Sequence, residues 1–309
     1  MSIPWQNLTA ACALDWIAGD PRWFPHPVRL IGFGISTGER FLRPGTVGPR
    51  EDLVRGGLLT AAVVFGSWAG VRFVAVRGVA VEVLLAWTAL AAGSLRSEAA
   101  EVVDASSVIE ARRKLSMIVG RDTENLNEEE IARAVIETVA EGLCDGVVAP
   151  LFYLTLGGVP WALAYKAVNT LDSMIGHPEP PYRYFGRVVA RLDDAANWLP
   201  ARLGAMAIVC AAAFTNQNAA GSRRVWLRDG GKHPSPNAGQ SEAAMAGALS
   251  VRLGGLSHYD GVPSPKPPLG KEGEAPRLAD ARAAIHVATV ASVLACVAAT
   301  LYCFWRGSR

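Results

Sequence analysis

The chain has 309 residues, 50% of them hydrophobic and 19% charged, with a mean hydropathy of +0.21 and a formal net charge of +2. That balance is too apolar for an ordinary soluble enzyme of this length and points to a membrane protein. The charge gives no sign of a nucleic-acid or acidic partner, and five cysteines without a C-x-x-C spacing give none of a disulfide framework or a zinc site.

In chain order, Ile3–Ala18 is apolar but short, either a marginal first span or an interfacial helix, and without a basic n-region it predicts no cleaved signal peptide. The loop Gly19-Asp20-Pro21-Arg22-Trp23-Phe24-Pro25-His26-Pro27-Val28-Arg29 follows. Its three prolines stiffen a segment presenting Asp20, Arg22, His26 and Arg29, which suits a carboxylate or phosphate ligand or, equally, an interfacial Trp/Arg anchor. Leu53–Val71 and Phe73–Gly93 have transmembrane length and read as a helical hairpin over 53–93, with Arg77 snorkelling from a helix end near Glu82.

Residues 94–142 read as a helical loop. Glu98–Ile118 and Glu128–Glu141 carry apolar residues at helical spacing, and Asn127 with Glu130 forms a capping-box start. Between them lies Gly120-Arg121-Asp122-Thr123-Glu124-Asn125. Glu137 and Glu141 share one helical face, with Asp145 a turn further on if the helix continues. Such oxygen ligands suit Mg²⁺, although spacing alone favours a solvated acidic face.

Val147–Val168, interrupted by Gly157, Gly158 and Pro160, and the short run Leu203–Phe214 are ambiguous, and the glycine-proline interruption favours a broken, re-entrant or interfacial element. The polar block 166–202 sits between them and holds Lys166, Asn169, Asp172, Ser173, His177, Arg187, Asp193, Asp194 and Asn197. On a helix the adjacent Asp193 and Asp194 diverge by about 100° and do not serve one ion together. In the loop 220–283, Lys232-His233-Pro234-Ser235-Pro236-Asn237 runs into an Ala-rich helix whose N-terminus offers N–H groups to an anion. Residues 260–276 are rich in Pro, Gly and Lys and predict a flexible connection outside any site; no strand pattern of useful length is visible. Ala284–Trp305 is a final span. The expected fold is all-α: one integral-membrane domain over 1–309, polytopic, with transmembrane helices, re-entrant or interfacial helices and helical cytoplasmic loops.

The segments GDPRWFPHPVRLIG, LSMIVGRDTENL, AEGLCDGVVAPLFY, AYKAVNTLDSMIGH, FGRVVARLDDAANWLPARL and HPSPNAGQSEAAMAGAL resemble, in order and length, the CbiB/CobD family of cobalamin biosynthesis proteins, the adenosylcobinamide-phosphate synthases. The resemblance covers about Leu14 to Leu256. Two positions depart from the family pattern: Gly142 stands where Asn is expected, and Gln240-Ser241 replaces an aromatic-Pro pair. The resemblance implies a multi-pass inner-membrane enzyme that joins adenosylcobyric acid to 1-amino-2-propanol or its O-phosphate with ATP and Mg²⁺, and it leaves room for association with other cobalamin-biosynthesis enzymes. Amide formation needs an activated carboxylate, most simply an acyl phosphate, hence Mg²⁺ and cations around the phosphoryl group.

On that chemistry Asp172, Asp193 and Glu141, with Glu137 and Asp145, are the expected Mg²⁺ ligands. Lys166, Arg121 and Arg187 would neutralise phosphate oxygens, and Asp20, Arg22, His26 and Arg29 would hold substrate carboxylates or the aminopropanol phosphate. Asp122, Asn169 and Asn197 would line the same site, with Asp194 beside Lys166 in the catalytic set. His233 with Asn237 would orient a phosphate or deprotonate the attacking amine. From composition alone a membrane transporter is the alternative, as is a non-catalytic signalling protein of the AmpE type.

Overall fold

The computed structural model describes residues 3–21, 23–43, 45, 47–75 and 78–308. Arg22 and Arg77 lie outside the described residues, and with them the snorkelling expected of Arg77. The elements are α1 (Trp5–Ala18), α2 (Pro27–Leu42), α3 (Pro49–Ala75), α4 (Val79–Trp87), α5 (Ala92–Val103), α6 (Val108–Leu115), α7 (Glu128–Leu143), a π-helical turn (Cys144–Val148), α8 (Ala149–Ile175), α9 (Arg187–Phe214), α10 (Ala219–Asp229), α11 (Ala238–Leu249), β1 (Leu253–Tyr259), β2 (Val262–Leu269) and α12 (Leu278–Gly307). Five helical stretches among the described residues are long and apolar enough to cross a membrane: 49–75, 79–103, 128–175, 187–214 and 278–307. The protein is thus an α-helical polytopic membrane protein. Large apolar side chains such as Leu58, Phe65, Val297 and Leu301 face outward on α3 and α12, as a lipid-facing surface requires.

Contacts divide the chain into two compact units. The first comprises residues 1–91, 149–197 and 298–309, the second 92–148 and 198–297.

In the first unit, α2, α3, α8 and α9 enclose a core of Ile31, Ile35, Leu59, Leu171, Ile175, Phe185 and Val189. Where a hairpin over 53–93 is expected, α3 is followed by the short α4, which ends at Trp87 before α5 begins at Ala92. Glu82 is held by the Asn7 amide at 2.6 Å, so α1 supplies this apolar segment's half-buried carboxylate with a partner. The ambiguous run 147–168 is a broken element. Gly158 adopts φ 71°, which a side chain would strain, and Pro160 follows at a position where its missing N–H costs nothing. Tyr153 and Tyr165 would lie about 18 Å apart along a straight helix. Their rings stack at 5.0 Å, so the chain bends sharply between them. The polar block is not a loop: it comprises the end of α8, a turn over 176–186 and the first half of α9.

In the second unit three expectations are corrected. Glu98–Ile118 is two helices, because Ser107 caps a new start by accepting the Glu110 N–H. Asp145 does not extend the Glu137–Glu141 stripe, because the π-turn at 144–148 shifts the helical register. Residues 260–276 are not a loose connection: β1 and β2 form an antiparallel hairpin around Asp260-Gly261, whose φ values of 51° and 76° suit a two-residue turn. Pairing Tyr259 with Val262 and Ser257 with Ser264 leaves Pro263 and Pro265 at positions whose N side faces away from β1, so no ladder donor is lost.

Candidate functional site

The first unit gathers the 19–29 loop and most of the polar block. The Asp20 carboxylate lies 3.3 Å from His26 Nε2, while His26 Nδ1 accepts the Val28 N–H and so caps α2. Trp87 donates to the Gly19 carbonyl at 3.0 Å and its ring packs on Phe24 at 4.9 Å, pinning the loop to α4. Arg29 is exposed in the first turn of α2. On α8 and α9, Tyr165 Oη donates to Asn197 Oδ1 at 2.9 Å, and Asn197 Nδ2 donates to Asp193 Oδ2 at 3.0 Å. Asn197 is buried, so it positions Asp193 and ties the two helices together. Pro200 lacks the N–H that the Ala196 carbonyl would take four residues on; Tyr153 Oη donates to that carbonyl instead, at 3.0 Å. Lys166, Asn169, Asp172 and Asp194 lie half-buried on α8 and α9, and Arg187 is exposed at the start of α9.

The second unit gathers Arg121, Asp122, Glu137, Glu141, Asp145, His233 and Asn237. Its hairpin is clamped from below. Arg133 on α7 donates to the carbonyls of Gly254 and Leu256, at 2.8 and 2.9 Å. Asp122 accepts the N–H groups of Asp260 and Gly261, so its role is to hold the turn. Glu137 accepts from Arg121 Nη2 at 2.6 Å with one oxygen and from the Gly254 N–H at 2.9 Å with the other. Both oxygens are thus in use by the protein, whereas Glu141 one turn on is exposed.

Above this pair sits a carboxylate that the sequence reading passed over. Glu242, on the buried helix α11, is 1% exposed. Its Oε1 lies 3.9 Å from His233 Nε2, and its Oε2 has no hydrogen-bond partner among the described residues. Burial and then the nearby charge of Glu137 push the Glu242 carboxyl up to about 8, with Lys266 on β2 pulling the other way. Burial, reinforced by Lys266, lowers His233 to about 4, so the ring is neutral at pH 7. His233 Nδ1 accepts the Ser235 N–H at 3.0 Å, which leaves the ring proton on Nε2, facing Glu242. Deprotonating an amine at Nε2 is therefore not what this tautomer does; it donates. Burial works against the Arg121 guanidinium, but Glu137 more than offsets it and holds it charged. Asn237 stands at the cap position of α11, yet the cap is made by Ser235 Oγ, which accepts from Asn237 N and Ala238 N.

Arg121 also lines an open cavity of about 830 Å³ together with Arg112, Arg113, Asn125 and Asp260. Among the described residues no group of three or more His, Cys, Asp or Glu is arranged to hold a metal ion.

The CobD/Cbib protein family model matches residues 8–288. The chain belongs to the CobD/CbiB family. It is 48% identical over 272 residues to the cobalamin biosynthesis protein CobD of Geobacter metallireducens, covering 84% of each chain. It is 44% identical over 296 residues to the cobalamin biosynthesis protein CbiB of Salmonella typhimurium, covering 92% of this chain and 93% of the relative. CobD of Pelobacter propionicus is 46% identical over 274 residues. No solved structure matches. The role is accordingly in cobalamin biosynthesis. The two departures from the family pattern have physical reasons. At Gly142 a Cβ would come within 2.7 Å of Leu95, so the small residue lets α7 approach α5. Gln240 accepts from Trp226 Nε1 and donates to the carbonyls of Gly230 and Pro236, stapling α10 to the loop before α11.

Proposed function

We propose that this CobD/CbiB protein forms an amide between a corrinoid carboxylate, that of adenosylcobyric acid, and 1-amino-2-propanol or its O-phosphate, at the expense of ATP. One observation supports the reading above the others: Arg121, His233 and Glu242 hold a cation, a neutral N–H donor and a carboxyl out of water, and Arg121 also lines an open cavity with Arg112 and Arg113. The reaction handles anions at every stage, since a carboxylate is phosphorylated, an acyl phosphate is attacked and phosphate leaves. In balance, carboxylate, ATP and ammonium give amide, ADP, phosphate and one proton. Arg121 would bind the anionic groups, and the neutral His233 N–H would orient them.

Mg²⁺ fits this chain in its substrate-bridging mode, which needs one or two carboxylates besides phosphate oxygens and water. In the second unit the exposed Glu141 is the carboxylate that would hold it. When bound it would supply charge neutralisation of the phosphates. ATP use places the loop-borne groups on the cytoplasmic side of the inner membrane in this reading. The test is purified protein with cobyric acid, ATP, Mg²⁺ and either form of aminopropanol, scored by mass spectrometry. A new amide is expected; its absence with both amines rejects the reaction.

A further inference from the structure

Buried polar groups are almost always paired, so a cluster of unpaired ones marks a place where a ligand or water completes the bonding. Among the described residues, three such atoms of the second unit are Arg121 Nη1, His233 Nε2 and Glu242 Oε2, with His233 and Glu242 3.9 Å apart and Arg121 paired to the Glu137 that acts on both. Their side chains are 8%, 7% and 1% exposed, so bulk water does not satisfy them cheaply. The three come from separate elements: the 120–125 loop, the loop before α11, and α11 itself.

The donor count decides what fits. Arg121 Nη1 can only donate, and its sister Nη2 is spent on Glu137. His233 Nε2 carries the ring proton, because Nδ1 already accepts from Ser235. Among the described residues no cation is ion-paired with Glu242: Arg121 is committed to Glu137, His233 is neutral, and Lys266 acts on it without a salt bridge. A carboxyl buried in that position keeps its proton and becomes a third donor. The charged groups facing it are Glu137 and Glu141 from α7, Arg121 from the loop, and Lys266 from β2. The one acceptor within the cluster, Glu242 Oε1, lies 3.9 Å from His233 Nε2, too far for a hydrogen bond, so the three donors suit an anion better than a cation or an apolar group.

We propose that Arg121, His233 and Glu242 form a binding pocket for an oxyanion, a carboxylate or a phosphate, of one of the substrates. This deepens the reaction proposed above by naming the ligand class at this cluster, and rests on that reading only for which oxyanion arrives. It is scored by binding, without turnover. Amide formation without oxyanion binding therefore rejects the pocket alone, and binding without amide rejects the reaction alone.

The test is calorimetric titration of the full-length protein in detergent at pH 7 and fixed ionic strength, with inorganic phosphate, sodium propionate and 1-amino-2-propanol O-phosphate as separate probes. Saturable binding of a phosphate probe assigns the pocket to the nucleotide or amine side, and saturable binding of propionate assigns it to the corrin side chain. Arg121→Lys keeps the charge beside Glu137 but loses the second arm of the fork, and His233→Ala loses the neutral donor. Each is expected to weaken binding about tenfold or more, the worth of one hydrogen bond to a charged group. Glu242→Gln keeps a neutral donor in place and is expected to bind as wild type does. The proposal is overturned if no probe saturates, if Arg121→Lys and His233→Ala bind like wild type, or if Glu242→Gln loses binding tenfold. Should Arg121→Lys fail to fold, His233→Ala and Glu242→Gln decide the matter.

Discussion

Asp229 and Glu242 are both buried carboxylates of the second unit, 0% and 1% exposed, yet they are chemically opposite. Asp229 is covered on every side: Arg228 and Lys232 donate to its oxygens, and the Gly270 N–H reaches it at 2.9 Å. Burial alone would raise its pKa, but these partners more than offset it and hold the group well below the usual carboxylate range. Glu242 has burial without partners, and its carboxyl moves the other way. Equal burial therefore says nothing about role; what separates a staple from a reactive group is whether the donors come with it.

The comparison breaks most visibly in stability. Asp229→Asn removes the charge and one of the two oxygens that serve two cations and the Gly270 N–H at the end of β2, and puts an NH₂ donor in its place. We expect a loss of about 3 kcal/mol, the low end for a broken buried pair, because Arg228 and Lys232 keep access to water. Glu242→Gln should melt within a degree or two of wild type at pH 7, since an amide replaces a carboxyl that is neutral there. Thermal unfolding of both variants in the same detergent checks the contrast, and equal losses would abolish it.

Titration sharpens it next. The Glu242 carboxyl loses its proton near 8 in the folded protein and near 4.5 when unfolded, so between those values the folded state holds the extra proton and stability falls as pH rises. His233 does the reverse. It titrates near 4 folded and near 6.5 unfolded, so stability rises with pH across that window. From pH 7 to 8 Glu242 dominates. Wild type should lose about 1 kcal/mol across that unit, and Glu242→Gln should not. A parallel decline in both proteins would mean another group titrates.

A smaller effect is expected where the hairpin meets α7. Arg133→Gln removes two donors to the carbonyls of Gly254 and Leu256, which hold β1 beside Glu137. About 1–2 kcal/mol should be lost, with faster amide exchange across 253–269 than across α11. Uniform exchange would show that the hairpin does not depend on this clamp.

What was legible in the sequence was whatever depends on local period and capping. The apolar runs gave spans, Asn127 and Glu130 form the capping box, and Gly158 with Pro160 broke the helix where expected. The hairpin escaped because prolines mask a strand pattern unless they fall on alternate, outward positions; Asp260-Gly261 between Tyr259 and Val262 was the usable signal. Glu242 escaped because an acid inside GQSEAAMAGAL reads as one polar residue on a bland helix. Only the packing of α11 buries it, and only the pairing of Arg121 with Glu137 leaves it without an ion-paired cation. Asp122, expected at a phosphate, turned out to hold a β-turn whose existence was not foreseen.

The smallest effect tests the same rule, that a buried group is defined by its donors, on a neutral acceptor in the first unit. The Ala196 carbonyl loses its helical donor to Pro200 and receives the Tyr153 hydroxyl instead. Tyr153→Phe should therefore cost about 1 kcal/mol by orphaning that carbonyl. Pro200→Ala restores an N–H four residues on and makes the hydroxyl redundant. In the Pro200→Ala background, Tyr153→Phe should then cost measurably less, and the coupling in the double-mutant cycle should be of the order of the single loss. Additive effects would mean that Tyr153 acts through its ring, stacked on Tyr165, and that the bend at Gly158 is held by aromatic packing rather than by the carbonyl that proline exposed.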